Sequence, residues 1–452
     1  MNVHCGWFAP GALLAIALLT LNAAPAPAED ERSLREEIAR AEQGDEAALQ
    51  ALRDRAAPEQ LVSALREGPE AWPDSPVGRV EGHIQAAGRA NPFILRVPED
   101  YTPERAWPLH ISLHGGGRSP EVNCDQHWRE GLVDRGLILL CPGDVRGNWW
   151  TWWGEETLMA ALRYVRERYR VDGDRTSIGG ASLGGQGTWM AATRYPWLWR
   201  AATPRCAVLL RPERLLRNVG ALPLYIVHGA EDVLVPPAAS RRARSQVEAV
   251  GARLRYEELP DIGHSFMAVH NPAVADWLLS QPPRTPQAAF AYETMGDRPP
   301  PDRIHWLRVG WPTPWQGRAQ MVRGHVRSAA ECDWSPSESC PEVNEVELEV
   351  TGAPTRVTLL LPEPLWEPTR PLRVTYNGRV VFTGVLEPSA RAVVQSWRDL
   401  HDPTLLPPWS LEIEPQPGDA RTWEKGVRER EARESFQRRQ RPEAARRGGR
   451  AP

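Results

Sequence analysis

Nothing in the chain narrows the choice of folds as much as Arg175-Thr-Ser-Ile-Gly-Gly-Ala-Ser182-Leu-Gly-Gly-Gln-Gly187. A short strand-like run ends at Ile178, and Trp189, Met190 and Ala192 follow at helix-compatible spacing until Pro196. Between them Gly180-Ala-Ser182-Leu-Gly184 fits G-x-S-x-G, a tight turn that lifts a serine between a strand and a helix. Glycine is needed at 180 and 184 because a Cβ in so cramped a turn would collide with strand or helix. The helix that follows aims its N-terminus at the serine, where its free N–H groups favour developing negative charge.

The surrounding chain supplies strands for such a turn. Residues 93–97 and the apolar residues 109–113 read as strands, the second running into His114-Gly-Gly-Gly117. Residues 137–141 read as another, and residues 155–169 as an amphipathic helix with Leu158, Leu162 and Val165 on one face. Strands at 222–227 and 254–259 and a helix at about 272–279 complete the series. Strands alternating with helices predict an α/β fold with a mainly parallel sheet covered on both faces.

At 452 residues the chain is too long for one core. Residues 29–72 show helical spacing (Leu34, Ile38, Ala41; Ala48, Leu49, Leu52; Leu61, Leu65), either packed on the main domain or acting as a spacer. The α/β pattern occupies 77–285. Beyond Pro282-Pro283 period-two alternation at 343–350, 356–361, 372–376, 380–383 and 411–414, with an Asn377-Gly378 turn, predicts a small β-rich domain over 286–425 with one helix near 390–400. Arginine and glutamate dominate 426–452, which is expected to be a frayed or disordered tail.

Residues 9–24 are apolar but too short to span a bilayer, and small residues precede Glu29-Asp30, so residues 1–28 read as a secretory leader despite an uncharged start. The mature chain is expected to be secreted or periplasmic, with no stable membrane insertion. A net charge of −4 gives no argument for nucleic acid. Five cysteines remain after the leader; Cys332 and Cys340 flank a Ser/Pro-rich loop that a bridge would close, and idle thiols are the alternative. No cysteine or histidine spacing suits a metal, and no cofactor is expected.

An activated serine needs a base, a group to orient the base, and donors for the oxyanion. The chain offers them in the order serine, acid, histidine. Asp232 ends the strand-like Leu224-Tyr-Ile-Val-His-Gly-Ala-Glu-Asp232, with Glu231 and Asp261 as other acids within reach. His264, in Asp261-Ile-Gly-His264, follows the next strand as the base. The glycines at 116 and 117 and the N–H of Leu183 are the expected oxyanion donors, and His114 braces their loop beside the substrate. Trp149, Trp150, Trp152 and Trp153 follow a strand's C-terminal end, where ligands bind in open parallel sheets, and form either an aromatic substrate wall or a packing surface. Trp306, Trp311 and Trp315 read as core or interface residues rather than glycan platforms.

With these pieces in place, residues 90–282 resemble α/β-hydrolases of the polyhydroxyalkanoate-depolymerase and feruloyl-esterase kind, with dienelactone-hydrolase-like enzymes and prolyl-oligopeptidase catalytic domains as neighbours. The stretches that carry the resemblance are Val97-Pro-Glu-Asp-Tyr, Pro108-Leu-His-Ile-Ser-Leu-His-Gly-Gly-Gly, the serine turn with its preceding Val171-Asp-Gly-Asp, His228-Gly-Ala-Glu-Asp and Gly263-His264. The resemblance implies Ser182 as nucleophile, Asp232 as acid and His264 as base, acting on a small-molecule or polysaccharide ester. Two other readings stand: a serine peptidase with the same triad, weakened by the missing propeller, and a non-catalytic glycan-binding scaffold.

Overall fold

Seven successive residues, Trp107–Leu113, are all buried, a pattern that only a strand covered on both faces can sustain. The computed structural model describes residues 29–419 apart from 56, 70–71, 73–74, 118, 129–130, 144–147, 211–212, 265–269 and 329–342. The leader, the Cys332–Cys340 loop and the charged tail lie outside the described residues.

Three short helices come first: α1 (Glu29–Glu42), α2 (Glu46–Arg55) and α3 (Pro58–Glu67). The main sheet then forms from β1 (Gly78–Ala86), β2 (Arg89–Val97), β3 (Trp107–Leu113), β4 (Ile138–Pro142), β5 (Val171–Ala181), β6 (Ala202–Arg205), β7 (Leu224–Gly229) and β8 (Leu254–Leu259). The spatial order is β1-β2-β4-β3-β5-β6-β7-β8. The strands from β4 to β8 in that order run parallel, while β1 and β2 form an antiparallel hairpin at one edge. Helices α4 (Trp152–Arg168), α5 (Leu183–Arg194) and α6 (Ala238–Ala249) lie in the crossovers β4–β5, β5–β6 and β7–β8, and α7 (Asn271–Ser280) follows β8. Cys124 is bridged to Cys141 on β4, a pairing that the sequence reading did not consider.

Two antiparallel-rich sheets follow. Ala289–Glu293, Met321–Arg327, Asn344–Val350, Leu372–Tyr376 and Arg379–Gly384 make one; Arg303–Ile304, Leu307–Gly310, Arg356–Leu361 and Trp409–Ile413 make the other. Trp306 is buried with its indole N–H donating to Gln287 O, and the N–H groups of Trp311 and Trp315 donate to Pro301 O and Gly296 O, so these side chains serve packing. Helix α8 (Ala390–Leu400) presents Ala390, Val393 and Val394 to Ile38, Leu49, Leu52 and Leu61. The N-terminal helices therefore bury their apolar faces on α8, not on the α/β domain as one sequence reading had it.

Asp402, just beyond α8, ties this end of the chain to the α/β domain. It accepts from Arg166 Nη2 at 2.7 Å and lies 3.3 Å from Arg284 Nη2, with both aspartate and Arg166 side chains almost wholly buried. Burial pushes the Asp402 carboxyl up, but the Arg166 and Arg284 guanidiniums outweigh it and hold the group far below the ordinary carboxylate range.

Candidate active site

The turn between β5 and α5 is as cramped as its glycines imply. Ser182 sits at φ 56°, ψ −119°, in the left-handed half of backbone space that L residues seldom occupy. Its N–H donates to Arg205 O on β6 and its carbonyl accepts from Gln186 N–H, each at 3.0 Å. A Cβ at Gly184 would stand 2.0 Å from Leu113 O, and one at Gly180 would stand 2.6 Å from Gly184 C. Both obstacles are main chain and cannot swing aside. Gly184→Ala is accordingly expected to yield little folded protein, as read by the soluble fraction on expression; a normal yield would mean that β3 and α5 can separate.

The residues at the carboxyl ends of β5, β7 and β8 converge. Ser182 Oγ–H donates to His264 Nε2 at 3.0 Å, and His264 Nδ1–H donates to Asp232 Oδ2 at 2.7 Å. The remaining oxygen, Oδ1, accepts from Leu234 N–H at 3.0 Å and Val235 N–H at 2.8 Å. Burial would raise the Asp232 carboxyl, but the hydrogen bond from His264 and the two amides prevail and hold it below its ordinary value. Glu231 and Asp261, the other acids within sequence reach, are exposed; the carboxylate against the imidazole is that of Asp232. Ser182 and His264 are half-buried.

The glycine loop faces the serine. A Cβ at Gly115 would lie 3.5 Å from Ser182 Cβ, and one at Gly116 would lie 3.0 Å from Leu183 Cδ1. Gly117 is exposed at φ 63°. The loop is braced from below. His114 is buried, its Nδ1–H donates to Gly115 O at 2.9 Å, and its own carbonyl accepts the Trp149 indole N–H at 2.9 Å. Trp149 has no exposed surface, and its Cβ would be 2.3 Å from a Cβ at Gly187. Neither His114 nor Trp149 can form part of a substrate wall; both hold the loop against α5. For Trp149 the packing alternative is the one realised, since a run of tryptophans does not say which ring turns inward.

The other three tryptophans do line a cleft. Trp150, Trp152 and Trp153, with Leu210 from the loop after β6 and Asp297 and Arg298 from the C-terminal region, surround about 580 Å³. Trp152 is 56% exposed. Arg298 Nη2 donates to Trp150 O at 2.8 Å, and its Nη1 pairs with Glu155 on α4 at 2.9 Å. The sequence carries no signal for this contribution, because residue 298 belongs to a region without resemblance to the rest. A larger cavity of about 710 Å³, between α3 and the C-terminal sheets, is lined by Arg66, Arg284, Arg303 and Trp409 among others; neither cavity has Ser182, Asp232 or His264 in its lining.

Among the described residues, Cys206, Asp232 and His264 are the group whose donor atoms come within 4.8 Å of one another, as a metal site would need. Burial pushes the Cys206 thiol up to about 11, so it stands beside Asp232 and His264 as a neutral thiol. The other two are already joined through a shared proton.

The arrangement defines a class. The fold is of the α/β-hydrolase type, a mostly parallel sheet flanked by helices with further β-rich sheets toward the C-terminus. Residues 153–287 match the Dienelactone hydrolase family, which supports a hydrolase. An "Uncharacterized secreted protein" of Arthroderma benhamiae is 25% identical over 202 residues, which cover 36% of this chain and 22% of that one. The chain thus spans about a fifth of the length of the curated relative it matches. Among solved structures, a thermostable esterase is 25% identical over 45% of this chain and 63% of its own, with a TM-score of 0.40. Est1E from Butyrivibrio proteoclasticus is 18% identical over 45% and 98%, with a TM-score of 0.39. Porphyromonas gingivalis dipeptidyl peptidase 4 is 15% identical over 45% and 35%, with a TM-score of 0.38.

Proposed function

We propose that the chain is an exported serine hydrolase that cleaves carboxylic esters through an acyl-enzyme. One observation carries this reading: the unbroken path from Ser182 Oγ through the imidazole of His264 to a buried, ionised Asp232. Ser182 Oγ attacks the ester carbonyl carbon as its proton passes to His264 Nε2. Asp232 stabilises the imidazolium that forms and keeps the ring in the tautomer with Nδ1–H. The N–H of Leu183, first in α5, and an N–H of the Gly116–Gly117 loop stabilise the oxyanion. Collapse expels the alcohol, which takes its proton from His264. Water then repeats the sequence on the acyl-enzyme and releases the acid.

The match to a hydrolase family over 153–287 supports this chemistry. The apolar leader supports export, as do the Cys124–Cys141 bridge and a relative described as secreted. No helix among the described residues is long and apolar enough to cross a membrane. A fluorophosphonate probe tests the reading: an adduct on Ser182 is expected, and its absence in folded protein would leave a non-catalytic scaffold. Comparing 4-nitrophenyl acetate, methyl ferulate and a proline 4-nitroanilide then separates esterase from peptidase; turnover of the anilide alone would overturn the ester assignment.

Trp150, Trp152 and Trp153 form the wall against which an aromatic acyl group or a sugar ring of the substrate packs. Trp152→Ala should raise KM for methyl ferulate or an acetylated oligosaccharide by up to about tenfold. Methyl acetate is too small to fill the cleft and should show no change. Equal effects on large and small esters would remove the cleft from substrate binding.

A further inference from the structure

One buried imidazole outside the relay touches its acid. His228, on β7, has no exposed surface. Its Nε2 lies 2.8 Å from Val235 O and 3.2 Å from Asp232 Oδ2. A backbone carbonyl can only accept, so Nε2 carries a proton, and that one N–H is shared between the carbonyl and the carboxylate. The other ring nitrogen, Nδ1, lies 2.6 Å from Ser240 Oγ on α6, which fixes the ring's rotation. Asp232 Oδ2 therefore meets two imidazole N–H groups, that of His264 at 2.7 Å and that of His228 at 3.2 Å.

The place of this contact in the fold gives it meaning. Asp232 is not on the sheet but in the turn after β7, and its neighbours Val233 and Leu234 are 87% and 73% exposed. The turn's own amides at 234 and 235 hold only Oδ1, and its main chain is tied through Glu231 N–H to Ile262 O, which leaves the orientation of Oδ2 to the two imidazoles. The His228 N–H holds both ends of it, the carboxylate at 232 and the carbonyl at 235, from a strand whose six residues are all buried. We propose that His228 is a positioning residue that anchors Asp232 to the sheet and so sets the angle at which the acid meets His264. The functional part of this rests on the triad assignment above. Charged or titratable groups close to the pair are His264 itself, Cys206 at the base of the site and Glu258 on β8.

Three variants test it in the full chain: His228→Leu, His228→Gln and Ser240→Ala. Each is followed by kcat and KM on 4-nitrophenyl acetate, by melting temperature, and by the His264 Nδ1–H resonance of protein labelled with 15N-histidine. Leucine fills the space without a donor, and an acid displaced by about an ångström is expected to lower kcat by up to about 10²-fold with little change in KM. The His264 resonance should shift or broaden. Glutamine places an amide N–H near the lost Nε2–H and should recover part of kcat. Ser240→Ala frees the ring and should act in the same direction, more weakly. If the leucine variant does not fold, the other two decide. Unchanged kcat and an unchanged His264 resonance in folded variants would overturn the proposal, as would a glutamine variant no better than leucine. Should the parent chain hydrolyse no ester, the ester reading fails by itself, and the resonance still reports whether His228 sets the Asp232–His264 contact.

Discussion

Ser182→Ala is expected to lower kcat by about 10⁶-fold while leaving the melting temperature close to that of the parent. The two halves of this result have separate causes. Without Oγ there is no nucleophile, and the turnover left is what oxyanion donors and substrate binding supply without covalent chemistry. Stability should barely move because alanine has the same Cβ and occupies the left-handed conformation at φ 56° on the same terms as serine. The lost hydroxyl hydrogen bond is to a half-exposed imidazole, not a buried orphan. A steady-state assay beside a thermal melt decides it. A large fall in melting temperature would make Ser182 a structural residue.

The second large effect lies far from the serine. Asp402→Asn removes the carboxylate that faces Arg166 and Arg284, and leaves Arg166, with a side chain only 1% exposed, without its charge partner. Breaking a buried pair from one side costs about 3–5 kcal/mol, since the remaining charge keeps its desolvation penalty. The melting temperature should drop by roughly 10 °C. Acidification gives an independent check. The folded-state value of Asp402 lies below the ordinary 3.8, so the group's contribution is fully present above that pH. It is lost as pH falls through the lower, folded value. The gap between parent and variant should therefore be full near neutrality and narrow as the solution is taken below 3.8. A gap independent of pH would show that the loss is one of shape rather than charge.

The hydrogen-bonded grouping of Ser182, His264 and Asp232 was legible in the sequence because each member stands just past a strand end, in the order serine, acid, histidine, and because glycines at 180 and 184 mark a turn with no room for Cβ atoms. The parts that were not legible share a physical reason. Strand β6 has four residues, Ala-Thr-Pro-Arg, with no hydrophobic period; it exists because β5 and β7 flank it. Helix α6 buries only Ser240, Ala243 and Val247, too few to show a face in a run of arginines and serines. Strand β1 is half-exposed along most of its length. The tryptophans stay open between substrate wall and packing surface in the sequence because residue type alone does not give the direction of a ring; Trp149 is the one that turns wholly inward. The histidine in His228-Gly-Ala-Glu-Asp232 is visible as a residue at a strand end, but its second hydrogen bond depends on Ser240, twelve residues on in α6. Arg298 reaches Trp150 across 148 residues of chain, a distance over which local pattern says nothing.

That long reach has its largest expression in the docking of α1–α3 on α8, where Glu46 pairs with Arg391 across 345 residues. Helices α1–α3 thus have nowhere to bury Leu49, Leu52 or Leu61 until α8, some 345 residues further along the chain, is in place. Short amphipathic helices without a partner are barely stable in water. The stability of α1–α3 is therefore expected to be conditional on α8, a contact made between segments near opposite ends of the described chain.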